Sequence, residues 1–153
     1  MGKKDTGDLL RFMTPFSAGN KELAMWLREF VWKLYPKTNE LIYDNYNALA
    51  IGWSLSEKLG DTFCSIAIFG KPYVHFGFYR GSQIPDPLKM LEGKGSLYRY
   101  IKVFYKKDFP KAYITELLKA AYDFSLARIK PCSIVTEGKT ITKSISAKKR
   151  RPV

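Results

Sequence analysis

Apolar residues between Ser17 and Leu34 recur at three- and four-residue spacing: Leu23, Trp26, Leu27, Phe30, Val31 and Leu34. That is the period of one wide buried helix face, with Lys21, Glu22, Arg28, Glu29 and Lys33 on the remainder. Pro36 stops this helix. From Glu40 to Phe104 the period drops to two. Leu49, Ile51, Trp53 and Leu55 alternate with Ala48, Ala50, Gly52 and Ser54, which predicts a strand with one bulky face and one small face. Thr62 to Phe69 is a second such run, with Cys64, Ile66 and Ile68 on one side and Phe63, Ser65, Ala67 and Phe69 on the other. Tyr73 to Tyr79 is a third, with Val74, Phe76 and Phe78 opposite Tyr73, His75, Gly77 and Tyr79. The short connections at Lys58–Asp61 and Gly70–Pro72 make these neighbours antiparallel hairpins. Leu41 to Tyr46 and Leu97 to Phe104 supply a first and a last strand. A second helix is predicted from Pro110 to Ile129, with Asp108 as its N-cap and Ile114, Leu117, Leu118, Ala121, Phe124 and Ile129 as its buried stripe.

The order helix, about five antiparallel strands, helix defines an α+β two-layer sandwich, with both helices on one sheet face. Residues 1–16 read as a loosely packed lead-in, 17–131 as the single domain and 132–153 as a basic tail. The 153-residue length suits one domain.

Composition adds a charge asymmetry. The chain carries 26 Lys+Arg against 14 Asp+Glu, a net charge of +12. From Gly138 onward there are six cations (Lys139, Lys143, Lys148, Lys149, Arg150, Arg151) and no acid, which is half of that net charge. Such a tail attracts polyanions through counterion release, a term blind to base sequence, and equally serves as a solvated terminus. Apolar runs fall well short of the ~20 residues a membrane helix needs. Two cysteines and one histidine make neither a disulfide framework nor a zinc set. The first eight residues lack an apolar signal core, so a cytoplasmic location is expected.

The stretch Gly81-Ser82-Gln83-Ile84-Pro85-Asp86-Pro87, then Leu91-Glu92-Gly93-Lys94-Gly95, then Arg99-Tyr100-Ile101-Lys102, resembles the signature of the YdhG-like family of small bacterial proteins of unknown function. Lys71 to Phe78, with its central His75, and the helix closing on Tyr35-Pro36 before Glu40 resemble the same family, over roughly residues 17–130. The resemblance implies a frataxin-like α/β arrangement, a link in some relatives to iron handling, and no catalytic residue set. Iron would need carboxylate clusters. Glu22 and Glu29 stand two turns apart among Lys21, Arg28 and Lys33, so the iron role is not carried over.

The Leu91–Ser96 loop lacks the spacing of a phosphate-binding loop and precedes a strand, which leaves a turn with positive φ at Gly93 or Gly95. His75 reads as a hydrogen-bonded structural residue, and Cys64 as a small buried hydrophobe. The most informative pattern is the small-residue sheet face. Trp53, Tyr73, His75, Tyr79, Tyr98 and Tyr100 are pocket candidates there, and Arg80, Lys94, Arg99 and Lys102 are anion-binding candidates at its rim, together with Lys148, Lys149, Arg150 and Arg151 of the tail. Arg99 and Lys102, three positions apart on one strand, should point to opposite faces. The bland alternative is that the small face lets a helix pack closely. The expectation is a non-catalytic binding module for an anionic ligand, either nucleic acid held weakly or a small anion, with no cofactor, metal or membrane, as monomer or homodimer. The alternatives are an iron or small-molecule carrier of frataxin-like type, and a dimeric interaction protein.

Overall fold

A computed structural model describes residues 7–150. Its elements run α1 (Gly7–Met13), α2 (Ala18–Leu34), β1 (Asn39–Asp44), β2 (Leu49–Ser54), β3 (Thr62–Ile68), β4 (Val74–Phe78), β5 (Arg99–Val103), α3 (Lys111–Arg128) and β6 (Thr140–Ile145). The strands form one open sheet in the order β5-β4-β3-β2-β1-β6. Every pairing is antiparallel except β6 on β1, which is parallel. The fold is the α+β sandwich that the periodicity predicts, with a sixth strand that makes the sheet mixed.

The register explains how alternation builds the core. Ile42, Ile51, Ile66, Phe76 and Ile101 lie in one row across five strands, and all are buried in the cluster that α2 and α3 complete. Phe30 of α2 meets Phe76 and Phe109 edge-on at 6.4 and 5.2 Å, the offset geometry that aromatic quadrupoles favour. Ser17 caps α2, its side chain accepting from the Asn20 amide at 3.2 Å.

Four expectations need correction. Residues 7–16 are not a loose lead-in: α1 buries Leu9, Phe12 and Met13, and Phe16 follows them into the core. Residues 140–145 are not tail but the edge strand β6. It is latched by Asn39, whose Oδ1 accepts from the Glu137 amide at 3.0 Å and whose Nδ2 donates to the Val135 carbonyl. Asp108 does not cap α3; Pro110 stands at that position and offers no side-chain cap. Phe63 does not share a face with Ser65, because a bulge makes Trp53 pair with Cys64 and Ser54 with Thr62. The extra residue turns its ring onto Tyr35 and Tyr122, at 5.3 Å from each.

One buried ion pair ties the layers together. Arg28 of α2 forks onto Glu40 of β1, with Nε to Oε2 at 2.6 Å and Nη2 to Oε1 at 2.9 Å. Thr140 of β6 donates its hydroxyl to Glu40 Oε1 at 2.8 Å. Both oxygens of the carboxylate thus accept, Oε1 twice, which is what a buried charge requires.

Candidate functional site

The reverse of the sheet has the small floor that the sequence predicts. One row reads Tyr43, Ala50, Ala67, His75 and Lys102; the next reads Leu41, Gly52, Ser65, Gly77 and Tyr100. Aromatic side chains stand on this floor along β4 and β5. His75 and Tyr100 stack at 3.9 Å with planes 14° apart, Tyr73 stacks on His75 at 5.6 Å and 12°, and Tyr98 on Tyr100 at 5.6 Å and 25°. Phe104 extends the run beyond Tyr73 at 5.2 Å, and Phe69 closes on His75 edge-on at 4.7 Å.

Gly77 is what lets the run sit so low. A Cβ there would lie 2.3 Å from the Tyr98 hydroxyl, so only glycine admits that ring. Tyr98 also bonds to Ser65, and burial pushes its phenol up to about 12. His75 is held by stacking; its Nε2 has no hydrogen-bond partner. Burial first, and then the Lys102 ammonium, lower its pKa to about 4, so the imidazole is neutral at physiological pH. Cys64 lies in the core on the opposite side of the sheet, and burial raises its thiol pKa well above the ordinary value. The two residues therefore form no nucleophile–base pair.

The candidate residues do not all meet. Trp53 is fully buried on the helix side against Trp32, because it belongs to the bulky set of β2. Tyr73, His75, Tyr98 and Tyr100 do assemble. Tyr79 stands under the Arg80 guanidinium at 5.4 Å and beside Tyr43. Among the cations, Lys102 is exposed on this face, its ammonium 5.1 Å from the Tyr73 ring centre. Arg99 points the other way, as its odd spacing from Lys102 requires, and donates to the Gly95 and Tyr98 carbonyls at 2.6 and 2.8 Å. Arg80 donates to the Gly60 carbonyl at 3.4 Å. Lys94 is exposed on the loop before β5. Lys148 and Arg150 are exposed, whereas Lys149 folds back onto Asp44 at 3.4 Å and the Ser146 carbonyl. Arg151 lies outside the described residues. The cations are therefore spread, and three of them, Arg80, Arg99 and Lys149, bond to backbone carbonyls.

The loop from Asp86 to Gly95 has a structural task. Asp86 Oδ1 accepts from the Tyr113 hydroxyl at 2.5 Å and from the Met90 amide at 3.2 Å, and Oδ2 accepts from the Leu91 amide at 2.9 Å. Glu92 then bridges to Tyr100 through two backbone bonds, covering part of the outer edge of β5. Gly93 takes the expected positive φ, at 130°.

Sequence reasoning missed the feature at the far end of β5. Phe104 and Tyr105 are 46% and 63% exposed, and Lys102, Lys106 and Lys107 flank them. The Lys107 ammonium lies 5.7 Å from the Tyr105 ring. The signal was the run Lys102-Val103-Phe104-Tyr105-Lys106-Lys107, aromatics interleaved with cations just past a strand end. An open cleft of about 500 Å³ separates this segment from the first turn of α2. Two larger grooves, of about 620 and 740 Å³, flank Trp26 on the helix layer. The first sets Glu29 beside Lys33 and Lys111, and the second sets Glu22 and Glu29 beside Arg28, Lys33 and Lys106.

No described helix is long and apolar enough to cross a membrane. Among the described residues no group of three His, Cys, Asp or Glu side chains could hold a metal. The molecule is thus a small α+β domain, an open mixed sheet roofed on one face and aromatic on the other. Compared with protein-family models, curated proteins and solved structures, the chain matches none.

Proposed function

We propose that this chain is a non-catalytic binding module that takes single-stranded nucleic acid along the β5 side of its open sheet face. The observation that carries this reading is the exposed Phe104–Tyr105 pair set among Lys102, Lys106 and Lys107. Within the stacked run the ring faces are already used by neighbours, so that surface offers mostly ring edges. The most exposed rings lie at its Phe104 end, where a base can stack while its phosphates meet lysine ammoniums. Every base has a π-face, so the contact is tolerant of sequence. The net charge of +12 supplies the long-range attraction.

Relationship to the YdhG-like family, with its frataxin-like arrangement, is part of this reading and rests on the Gly81–Lys102 motif residues. A cytoplasmic place of work is part of the same reading. The direct test is fluorescence anisotropy with labelled oligo-dT at low and high salt. Binding at low salt that weakens steeply as salt rises is expected, because each neutralised phosphate releases a counterion. Absence of binding at low salt, or affinity indifferent to salt, overturns the reading.

A further inference from the structure

The cleft beside Phe104 contains its own anion. Lys106 of the turn after β5 reaches across to Glu22 of α2, Nζ to Oε1 at 2.6 Å, with the two side chains 41% and 71% exposed. The pair bridges 84 residues of sequence; its two side chains line the cleft together with Asn20, Phe104, Tyr105 and Lys107, and on their other side they border the Trp26 groove. Lys107 has no carboxylate partner among the ion pairs of the described residues, and Lys102, on the sheet side, has none either. Glu22 is therefore the one acid in a basic, aromatic-lined cleft, and it holds the central lysine.

Exposed ion pairs of this kind contribute little to stability, since water competes for both partners and two long side chains must be ordered. A pair that stabilises little, exposed on the wall of a cleft, is easily exchanged. A phosphate presents oxygens to a lysine as a carboxylate does, and it brings an attached base that can cover Phe104 and Tyr105.

We propose that this cleft seats one nucleotide unit of a bound single strand, base on Phe104 and Tyr105 and phosphate on Lys106 and Lys107, and that Glu22 is the internal competitor the phosphate must displace from Lys106. The inference rests on the nucleic-acid reading above and adds the anchoring point and its control. In the free chain Glu22 neutralises Lys106; in the bound chain the phosphate takes that place, and the carboxylate turns to water. The Asn20 amide in the first turn of α2 is already taken by the Ser17 side chain.

The test uses the full chain and labelled oligo-dT at low salt, with four variants checked for an unchanged melting temperature. Glu22→Gln should bind several-fold tighter, because it frees Lys106 without removing a structural contact of weight. Asp123→Asn changes the net charge equally at an exposed pair on α3 with Lys119, and it should leave affinity unaltered. Phe104→Ala and Tyr105→Ala should each weaken binding roughly 10-fold, the usual loss when a base forfeits one aromatic platform. If the wild-type chain binds but Glu22→Gln is no tighter than Asp123→Asn, the competitor role is overturned and the sheet-face reading stands. If both aromatic variants bind as the wild type does, the anchoring point is overturned in the same way. If the wild-type chain does not bind at all, both readings fail together.

Discussion

The two faces of this sheet are built from the same strands and obey different rules. On the helix side, large side chains from β1 to β5 interlock with α2 and α3, and most aromatic rings there meet edge to face: Phe76 with Phe30, Phe78 and Phe109, and Trp53 with Trp32. On the reverse side the central strands carry alanine, glycine and serine, and the rings of β4 and β5 lie parallel in a run. The first arrangement fills space, and its stability comes from excluding water. The second is a shallow, half-exposed layer that no helix covers. The contrast teaches that a small-residue face need not be a packing surface for another element; here it is the platform on which a single aromatic layer stands.

The sharpest way to break this contrast is to remove one ring from each face at adjacent positions in the ladder. Phe76→Ala should destabilise by about 3–5 kcal/mol, because it opens a cavity among Phe30, Phe78 and Phe109. Tyr100→Ala on the next row should cost only about 1–2 kcal/mol, since its partners rest against water as well as protein. Equal losses in urea titrations would mean the reverse face is as much a core as the roofed one. Arg28→Ala belongs with the larger effect, at about 3–5 kcal/mol, because it strands the Glu40 carboxylate in the interior.

A smaller effect is expected at Gly77. Gly77→Ala places a methyl where the Tyr98 ring lies and should cost about 1–3 kcal/mol, with release of Tyr98 from Ser65. The check is the near-ultraviolet tyrosine signal beside the melting curve; an unaltered signal would show that Tyr98 does not depend on the missing side chain.

A last effect, of similar size and spread over a pH range, concerns His75. His75 is held neutral down to about 4, against an ordinary value of 6.5, so between those values the unfolded chain binds a proton that the folded chain refuses. The stability His75 contributes is present above pH 6.5 and is lost as pH falls towards 4, by about 1–3 kcal/mol in total. His75→Phe keeps the ring between Tyr73 and Tyr100 and should remove that part of the slope. A slope unchanged in the variant would place the titration elsewhere.

Much of the roofed face was legible in the chain, because period and side-chain size speak together there. The alternation through Leu49–Leu55 and Val74–Phe78 placed their bulky residues correctly; counting Trp53 among the pocket candidates went against that same alternation, and the residue is buried with the bulky set. What was hidden has physical reasons. α1 spans only seven residues, too short for a helical period to emerge against its charged flanks. β6 carries the alternating, β-branched signal of Thr140-Ile141-Thr142 and Ile145. Its partner β1 lies about a hundred residues away and parallel, and the lysine count of the segment suggested solvent instead. The Phe63 bulge changes one residue's face without changing the pattern that surrounds it. The candidate site was half legible: Tyr73, His75, Tyr98 and Tyr100 follow from alternation. The exposed end at Phe104 and Tyr105, and its opposition to Glu22, required knowing that α2 begins where β5 ends.

The central claim is that the roofed face holds the fold and the open face near β5 meets the ligand. It is tested most directly by following backbone amide shifts in nitrogen-edited NMR as oligo-dT is added at low salt. The account predicts shifts gathered at residues 73–75 and 98–107 and at the first turn of α2. Shifts centred instead on the Trp26 groove between α2 and α3, or spread evenly over the lysine-bearing surface, would contradict it.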